Sequence, residues 1–397
     1  MSKLKELSIP ELTERISSLD GLRGVAILMV MMLHFYNEAI INNGYPIIGP
    51  VITKLVLSGL YGVELFFVIS GFLITNILFD AKNGPNYFRN FYIRRFLRIF
   101  PLYYAVLFVI FFILPHLVTF DAAAKDIASR QIWLWTYLSN APWSGGAWDS
   151  SAIFRLGHLW FLCVVVHFYI IWPLFIYKFE TRTIINICLA GMIVCLMIRL
   201  LLTVVGGPEF FTWSSIRKLD GLLWGSFLAA GIRTAYVSHL INIYTPRVAW
   251  VAGLLFFILI FVPRRFTGDN TVCIGYYWTF METISVLFFG GILILVLRES
   301  GRLPSLMKNK FLVAFGKYSY GLFVIHNICL PLFKWLFKPT ELAMQIGSPL
   351  LTQIIFYILS ITTSFILAFA TWHLYEKHFL NLKLLFKYKR PVYTSKA

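Results

Sequence analysis

Val56-Leu57-Ser58-Gly59-Leu60-Tyr61-Gly62-Val63-Glu64-Leu65-Phe66-Phe67-Val68-Ile69-Ser70-Gly71-Phe72-Leu73-Ile74-Thr75-Asn76-Ile77-Leu78-Phe79 is a run of 24 residues with one charged side chain, Glu64. At ~1.5 Å per residue a helix of that length crosses a bilayer core of ~30 Å. The rest of the chain repeats the pattern. Of 397 residues 59% are hydrophobic and 13% charged, where soluble domains carry about 25% charged residues. A mean hydropathy of +0.75 agrees. The bilayer is the solvent for most of this chain, and the expected fold is an all-α polytopic transmembrane bundle.

Ten spans follow from apolar run length: roughly 22–43, 56–79, 99–119, 158–177, 183–205, 219–235, 247–263, 273–297, 311–336 and 350–375. A shorter run at 131–138 suits a re-entrant or interfacial piece. With the N-terminus inside, 23 Lys and Arg fall on the inner side and 10 on the outer. That split predicts both ends in the cytoplasm. The net charge of +17 is thereby read as topology, and no nucleic-acid motif accompanies it. Cys163, Cys188, Cys195, Cys273 and Cys329 form no CxxC pair and read as core residues, with no metal expected. The N-terminal residues lack the pattern of a cleaved signal peptide. One integral domain over 1–380 and a short basic tail over 381–397 are expected.

Ionisable groups inside a membrane are costly, so each is a functional candidate. Arg23 and His34 are eleven residues apart. On a helix that is three turns plus ~20°, on one face, with ~16 Å of axial separation. Arg23 then sits at the cytoplasmic surface and His34 near mid-membrane. The gap suits a phosphate-bearing donor held at Arg23 whose acyl thioester meets His34. The plain alternative is a snorkelling arginine and an unrelated core histidine. Glu38, one turn beyond His34, and Glu64, in the antiparallel second span, are the carboxylates placed to orient the imidazole. Glu64 could instead pair with Arg199 or another buried base. Arg94, Arg95 and Arg98 cluster at the cytoplasmic surface in Phe91-Tyr92-Ile93-Arg94-Arg95-Phe96-Leu97-Arg98-Ile99-Phe100-Pro101-Leu102-Tyr103. Arginine forks suit phosphates, although such clusters also anchor helices to anionic headgroups. His158 and Trp160 open the fourth span on the outer side, where a sugar could stack on indole.

Together these residues resemble the acyltransferase-3 family of membrane acyltransferases. Arg23 through His34 matches the family's opening block. Glu64 through Phe72 matches its acidic Phe-Phe-x-x-Ser-Gly-Phe block, and Arg94 to Tyr103 its basic block ending in Pro-x-Tyr. His158-Leu159-Trp160, Arg217-Lys218-Leu219-Asp220, Ser319-Tyr320 through His326, and Tyr375-Glu376 follow in order. The likeness runs from residue 18 to 380, and its specificity lies in the ordered set. One block departs: many relatives carry Val-Glu-x-Gln where this chain has Val164-Val165-Val166-His167. That leaves the glutamate's role vacant or passes it to His167, Glu64 or Glu282, or else signals a different acceptor. Some relatives also carry a C-terminal hydrolase-like domain, which this sequence is not expected to have.

The resemblance implies transfer of an acyl group, acetyl foremost, from cytoplasmic acetyl-CoA to a hydroxyl of a carbohydrate or glycolipid at the outer face of a bacterial inner membrane. It makes His34, Arg23 and Glu64 the catalytic candidates. Arg94, Arg95, Arg98 and Tyr103 become the donor-binding candidates, and His158, Trp160, His167 and Glu38 the acceptor-side ones. Membrane lipid is the only other partner expected. The rival class is a proton-coupled transporter, which should show paired halves with broken helices; no such halves are visible in the sequence.

Overall fold

The computed structural model describes residues 16–144, 147–205, 216–261, 271–298 and 301–386, all helix, turn or loop with no strand among them. Among the described residues, eight helical segments are long and apolar enough to cross a bilayer: Ser17–His34, Gly49–Ala81, Tyr87–His116, Gly157–Lys178, Thr181–Val204, Ala235–Ile260, Gly275–Val296 and Pro349–Phe386. A bent pair, Ser319–Ile328 with Leu330–Ile346, makes a ninth if counted as one span. The all-α membrane bundle expected from the sequence is what forms, with eight or nine candidate spans among the described residues against the ten drawn.

The helices, numbered in chain order, are α1 Ser17–His34, α2 Glu38–Gly44, α3 Gly49–Leu57, α4 Gly62–Ala81, α5 Tyr87–Phe108, α6 Ala122–Ser129, α7 Ile132–Trp135, α8 Trp160–Lys178, α9 Thr181–Val204, α10 Leu219–Gly231, α11 Ala235–Ile260, α12 Thr271–Val296, α13 Arg302–Met307, α14 Lys310–Lys317, α15 Ser319–Ile328, α16 Leu330–Phe337, α17 Pro339–Ile346, α18 Pro349–Thr371 and α19 Lys377–Leu382.

The missing span is the run at 219–235. It forms α10, 13 residues long, about 20 Å at 1.5 Å per residue and short of the hydrocarbon core. Its apolar residues face protein, not lipid. Gly71 of α4 meets the backbone of Leu222, and Gly225 meets the backbone of Val68 and Phe72. Glycine at both contacts lets the two backbones touch. By contrast α9 turns Leu189, Ile193, Val194, Met197 and Leu201 outward, as a lipid-facing helix should.

Two spans are broken. The first ends at His34; Asn37 then caps α2 by accepting from the Ile40 amide. Gln353 of α18 serves the gap, accepting from Asn37 N at 2.9 Å and donating to Phe35 O at 3.0 Å. The run at 311–336 divides into α14, α15 and α16. The 63° bend between α15 and α16 falls just before Pro331, which cannot donate to the turn before it.

Candidate active site

α1, α4, α5, α8 and α15 enclose a cavity of about 90 Å³. Arg23, Arg95 and Arg98 line it, with Ser70, Tyr169, Ser319 and Tyr320. No acidic residue lines it among the described residues. Arg23 keeps an ion pair one turn back along α1 with Asp20, at 3.7 Å. Arg95 lies over the rings of Phe91 and Tyr169 at 5.5 and 5.7 Å, and its Nε is buried with no hydrogen-bond partner. Tyr320 donates to the carbonyl of Ile99. The site is built to receive an anion or a strong acceptor. Val165, in the block that departs from the family pattern, also lines it, so the wall is apolar there.

The far wall is aromatic. Phe66, Phe161 and Phe323 line the cavity and pack on one another, with Phe161 and Phe323 4.9 Å apart between centroids. Phe323 also touches His158 at 5.4 Å and His326 at 5.9 Å. Beyond it lie three histidines: His34 at the C-terminus of α1, His158 just before α8, and His326 in α15. His34 and His326 are 5.0 Å apart and His158 and His326 5.1 Å.

Their hydrogen bonds assign the tautomers. His326 Nδ1 faces two carbonyls, Leu322 O at 3.0 Å and Phe323 O at 2.9 Å, so it carries the proton and Nε2 is bare. His34 Nδ1 is 2.9 Å from Val30 O and 3.3 Å from His326 Nε2. It therefore donates to both, which leaves the lone pair of His34 on Nε2. His158 Nδ1 accepts from Asn327 Nδ2 at 3.2 Å, and its Nε2–H donates to Val324 O at 3.2 Å. His34 is half-buried while His158 and His326 are fully enclosed. Of the three, His34 is the one with a free basic nitrogen reaching open space. Among the described residues no cluster of three or more His, Cys, Asp or Glu is placed to hold a metal ion.

Several expected placements are corrected. Glu64 does not reach His34: its Oε1 accepts from Lys218 Nζ at 3.0 Å. Lys218 also bonds Glu282 at 2.7 Å, Glu282 bonds Arg199 at 3.2 Å, and Arg199 bonds Asp220 at 2.6 Å. Five buried ionic groups thus form one chain, and opposite charge in a dry interior outcompetes an imidazole for a carboxylate. Glu38 lies past the break after α1, in α2, where it accepts from Asn42 at 3.2 Å. Arg94 is turned from the cavity and donates to the carbonyls of Lys383 and Phe386. The face that looks inward holds residues three apart, Arg95 and Arg98. Tyr103 is buried, donates to Leu134 O at 2.8 Å and stacks on Tyr137 at 4.4 Å. His167 bonds the Tyr137 backbone and lines neither cavity. Trp160 lines a second, smaller cavity with Glu64 and Lys218.

The structure adds His326, Asn327 and Lys218, which sequence reasoning misses as site residues. A balance of the intramembrane charges would flag Lys218, since three buried carboxylates need more than Arg199. Nothing in the spacing of His326 shows that it faces His34, because that contact crosses 292 positions of sequence.

Over residues 16–373 the chain matches the acyltransferase-3 profile, described as an acyltransferase domain. YrhL of Bacillus subtilis (strain 168), provisionally named a peptidoglycan O-acetyltransferase, is 27% identical over 380 residues, 91% of this chain and 54% of its own length. The peptidoglycan O-acetyltransferase OatA of Listeria monocytogenes is 31% identical over 172 residues, 41% of this chain and 24% of its own. The O-acetyltransferase OatA of Staphylococcus aureus (strain NCTC 8325) is 25% identical over 327 residues, 78% of this chain and 49% of its own. The chain therefore spans about half or less of the length of these relatives. No solved structure matches it.

Proposed function

The chain belongs to the acyltransferase-3 family, and from that premise we propose that it is a membrane O-acetyltransferase. It moves an acetyl group from acetyl-CoA, on the cytoplasmic side of a bacterial inner membrane, to a hydroxyl of a cell-surface glycan, with both chain ends in the cytoplasm. The relatives' names favour peptidoglycan as acceptor. The observation that carries the reading is the fixed His34 tautomer, with the lone pair left on Nε2, in a histidine cluster that packs on the aromatic wall of an arginine-lined cavity.

The donor supplies a thioester, and the cavity suits its anionic part. Arg23, Arg95 and Arg98 offer three guanidinium groups with no lining carboxylate among the described residues, and the unpartnered Arg95 Nε lacks only an acceptor. Charge-assisted bonds from arginine are the strong means of holding phosphate. At His34 the chemistry is general base catalysis. Nε2 takes the proton of the acceptor hydroxyl as its oxygen attacks the thioester carbonyl. The carbon–oxygen bond forms, the carbon–sulfur bond breaks, and His34 returns the proton to the departing thiolate. His326 Nε2 and Val30 O hold Nδ1–H throughout, so the growing positive charge on the ring has two acceptors.

The test is transfer of labelled acetyl from acetyl-CoA to soluble peptidoglycan fragments by purified protein in liposomes. H34A should abolish transfer while the protein stays folded and inserted. An H34A protein that retains a tenth or more of the wild-type rate removes His34 from the chemistry.

A further inference from the structure

The second cavity lies between α4, α8 and α12, lined by Tyr61, Glu64, Trp160, Lys218, Trp278 and Glu282 among others. Two of its polar atoms have no partner: the Tyr61 hydroxyl and Glu64 Oε2. Both residues are almost wholly enclosed, at 4% and 3% exposed. Buried polar atoms are nearly always satisfied in a folded protein. Two on the wall of one cavity mark a place for a polar occupant. The free volume, about 10 Å³, admits a single oxygen and no ring.

The surroundings say which oxygen. The cavity is lined by two indoles, Trp160 and Trp278, and Trp278 is 42% exposed. Lys218 Nζ stands 5.9 Å from the Trp160 ring centroid. An aromatic plane beside a carboxylate is the chemistry that receives a saccharide, apolar C–H face on the ring and hydroxyl on the anion. The position also fits. Trp160 touches Phe161, Phe161 touches Phe323, and Phe323 touches His158 of the histidine cluster.

We propose that this cavity is the acceptor subsite. It takes one hydroxyl of a carbohydrate between Tyr61 Oη and Glu64 Oε2, and leaves the ring against Trp160 and Trp278. The proposal rests on the carbohydrate acceptor argued above. The buried ionic chain then also serves binding, because Lys218 holds Glu64 by Oε1 and leaves Oε2 aimed into the cavity.

Tyr61→Phe tests this cleanly, because the oxygen it removes has no partner in the protein and the fold does not depend on it. With acetyl-CoA saturating and a soluble peptidoglycan disaccharide–peptide as acceptor, the variant should raise the acceptor KM about three- to tenfold, the value of one hydrogen bond. Its kcat should stay within about twofold, and its melting temperature should not fall. Trp278→Ala should raise the same KM. An unchanged acceptor KM in Y61F, with wild-type protein active, means the cavity holds structural water and the subsite is wrong. Wild-type protein that consumes acetyl-CoA yet acetylates no glycan fragment overturns the carbohydrate reading, and this site with it.

Discussion

Replacing Lys218 with methionine isolates the ionic chain from the chemistry. Methionine keeps the length of the side chain and removes its charge. In the native protein Lys218 Nζ bonds Glu64 at 3.0 Å and Glu282 at 2.7 Å, and it is 6% exposed. Two cations, Lys218 and Arg199, face three carboxylates, so the chain carries −1. K218M leaves −2, with no cation on Glu64. Breaking a buried pair from one side costs about 3–5 kcal/mol, a large share of a typical stability of about 5–15 kcal/mol. In a chain of this length each kcal/mol moves the melting point by roughly 1–2 °C, so K218M should melt roughly 3–10 °C below wild type. The double variant K218M/E64Q returns the chain to −1, with Glu282 and Asp220 still on Arg199, and should regain more than half of that loss. The assay is thermal unfolding in detergent followed by tryptophan fluorescence, read as a double-mutant cycle. A K218M protein melting within about 2 °C of wild type would falsify the argument, and so would a double variant no more stable than the single.

Four further outcomes follow from the geometry. H326F removes one of the two acceptors that hold His34 Nδ1–H; kcat should fall about 10- to 100-fold, as when the partner that orients a working histidine is lost, with a displaced pH–rate profile and an unchanged donor KM. R98A should raise the KM for acetyl-CoA about 10- to 100-fold, the worth of a charged hydrogen bond. R94A, whose guanidinium is engaged by the Lys383 and Phe386 carbonyls, should change that KM less than about twofold. G225L drives a side chain into the backbone of Val68 and Phe72 and should cost at least about 1–3 kcal/mol, read as a lower melting point and a poorer yield of folded protein.

The bundle is legible in the sequence because membrane insertion is a property of composition and run length, and both are local. The count of spans is less so. Residues 219–231 form an apolar run broken by one charge, Asp220, and the glycine contacts at Gly71 and Gly225, which are tertiary, tell a buried short helix from a lipid-crossing one. The site shows the same division. Arg23 and His34 are visible from helix periodicity, since both lie on α1. The partners of His34 are not, because His158 arrives from the start of α8 and His326 from α15. Glu64 falls to a different neighbour from the one expected for a related reason. Two antiparallel helices put it at a plausible depth for His34, but depth does not say which side of α4 faces which helix, and Lys218 and Glu282 hold the side it turns to. Arg94 and Arg95 differ by one position and one is turned toward the C-terminal helix; a 100° step per residue separates them, and only the packing decides which faces the cavity.

A polar atom enclosed in this bundle is costly whether or not it serves a function, so burial alone does not locate function. The pattern of satisfaction does more. Several enclosed polar atoms lack a partner, among them Tyr137 Oη, Trp224 Nε1 and Ser360 Oγ. Three of the unpartnered atoms belong to residues lining one of the two interior cavities described above: Arg95 Nε in the larger, and Tyr61 Oη and Glu64 Oε2 in the smaller. The larger cavity is cationic and the smaller carries carboxylates and indoles, which are the complements of a phosphate and of a sugar. Both run into the same aromatic group: Phe161 and Phe323 wall the first, and Trp160, which lines the second, packs on Phe161. Behind Phe323 stand His158 and His326, and against them His34 with its proton pinned on Nδ1. An enzyme that joins a charged donor to a hydroxyl acceptor needs two dissimilar sites that meet at one base, and a transporter needs one site opened from two sides. The dissimilarity of the two cavities is therefore the strongest structural argument for chemistry over transport.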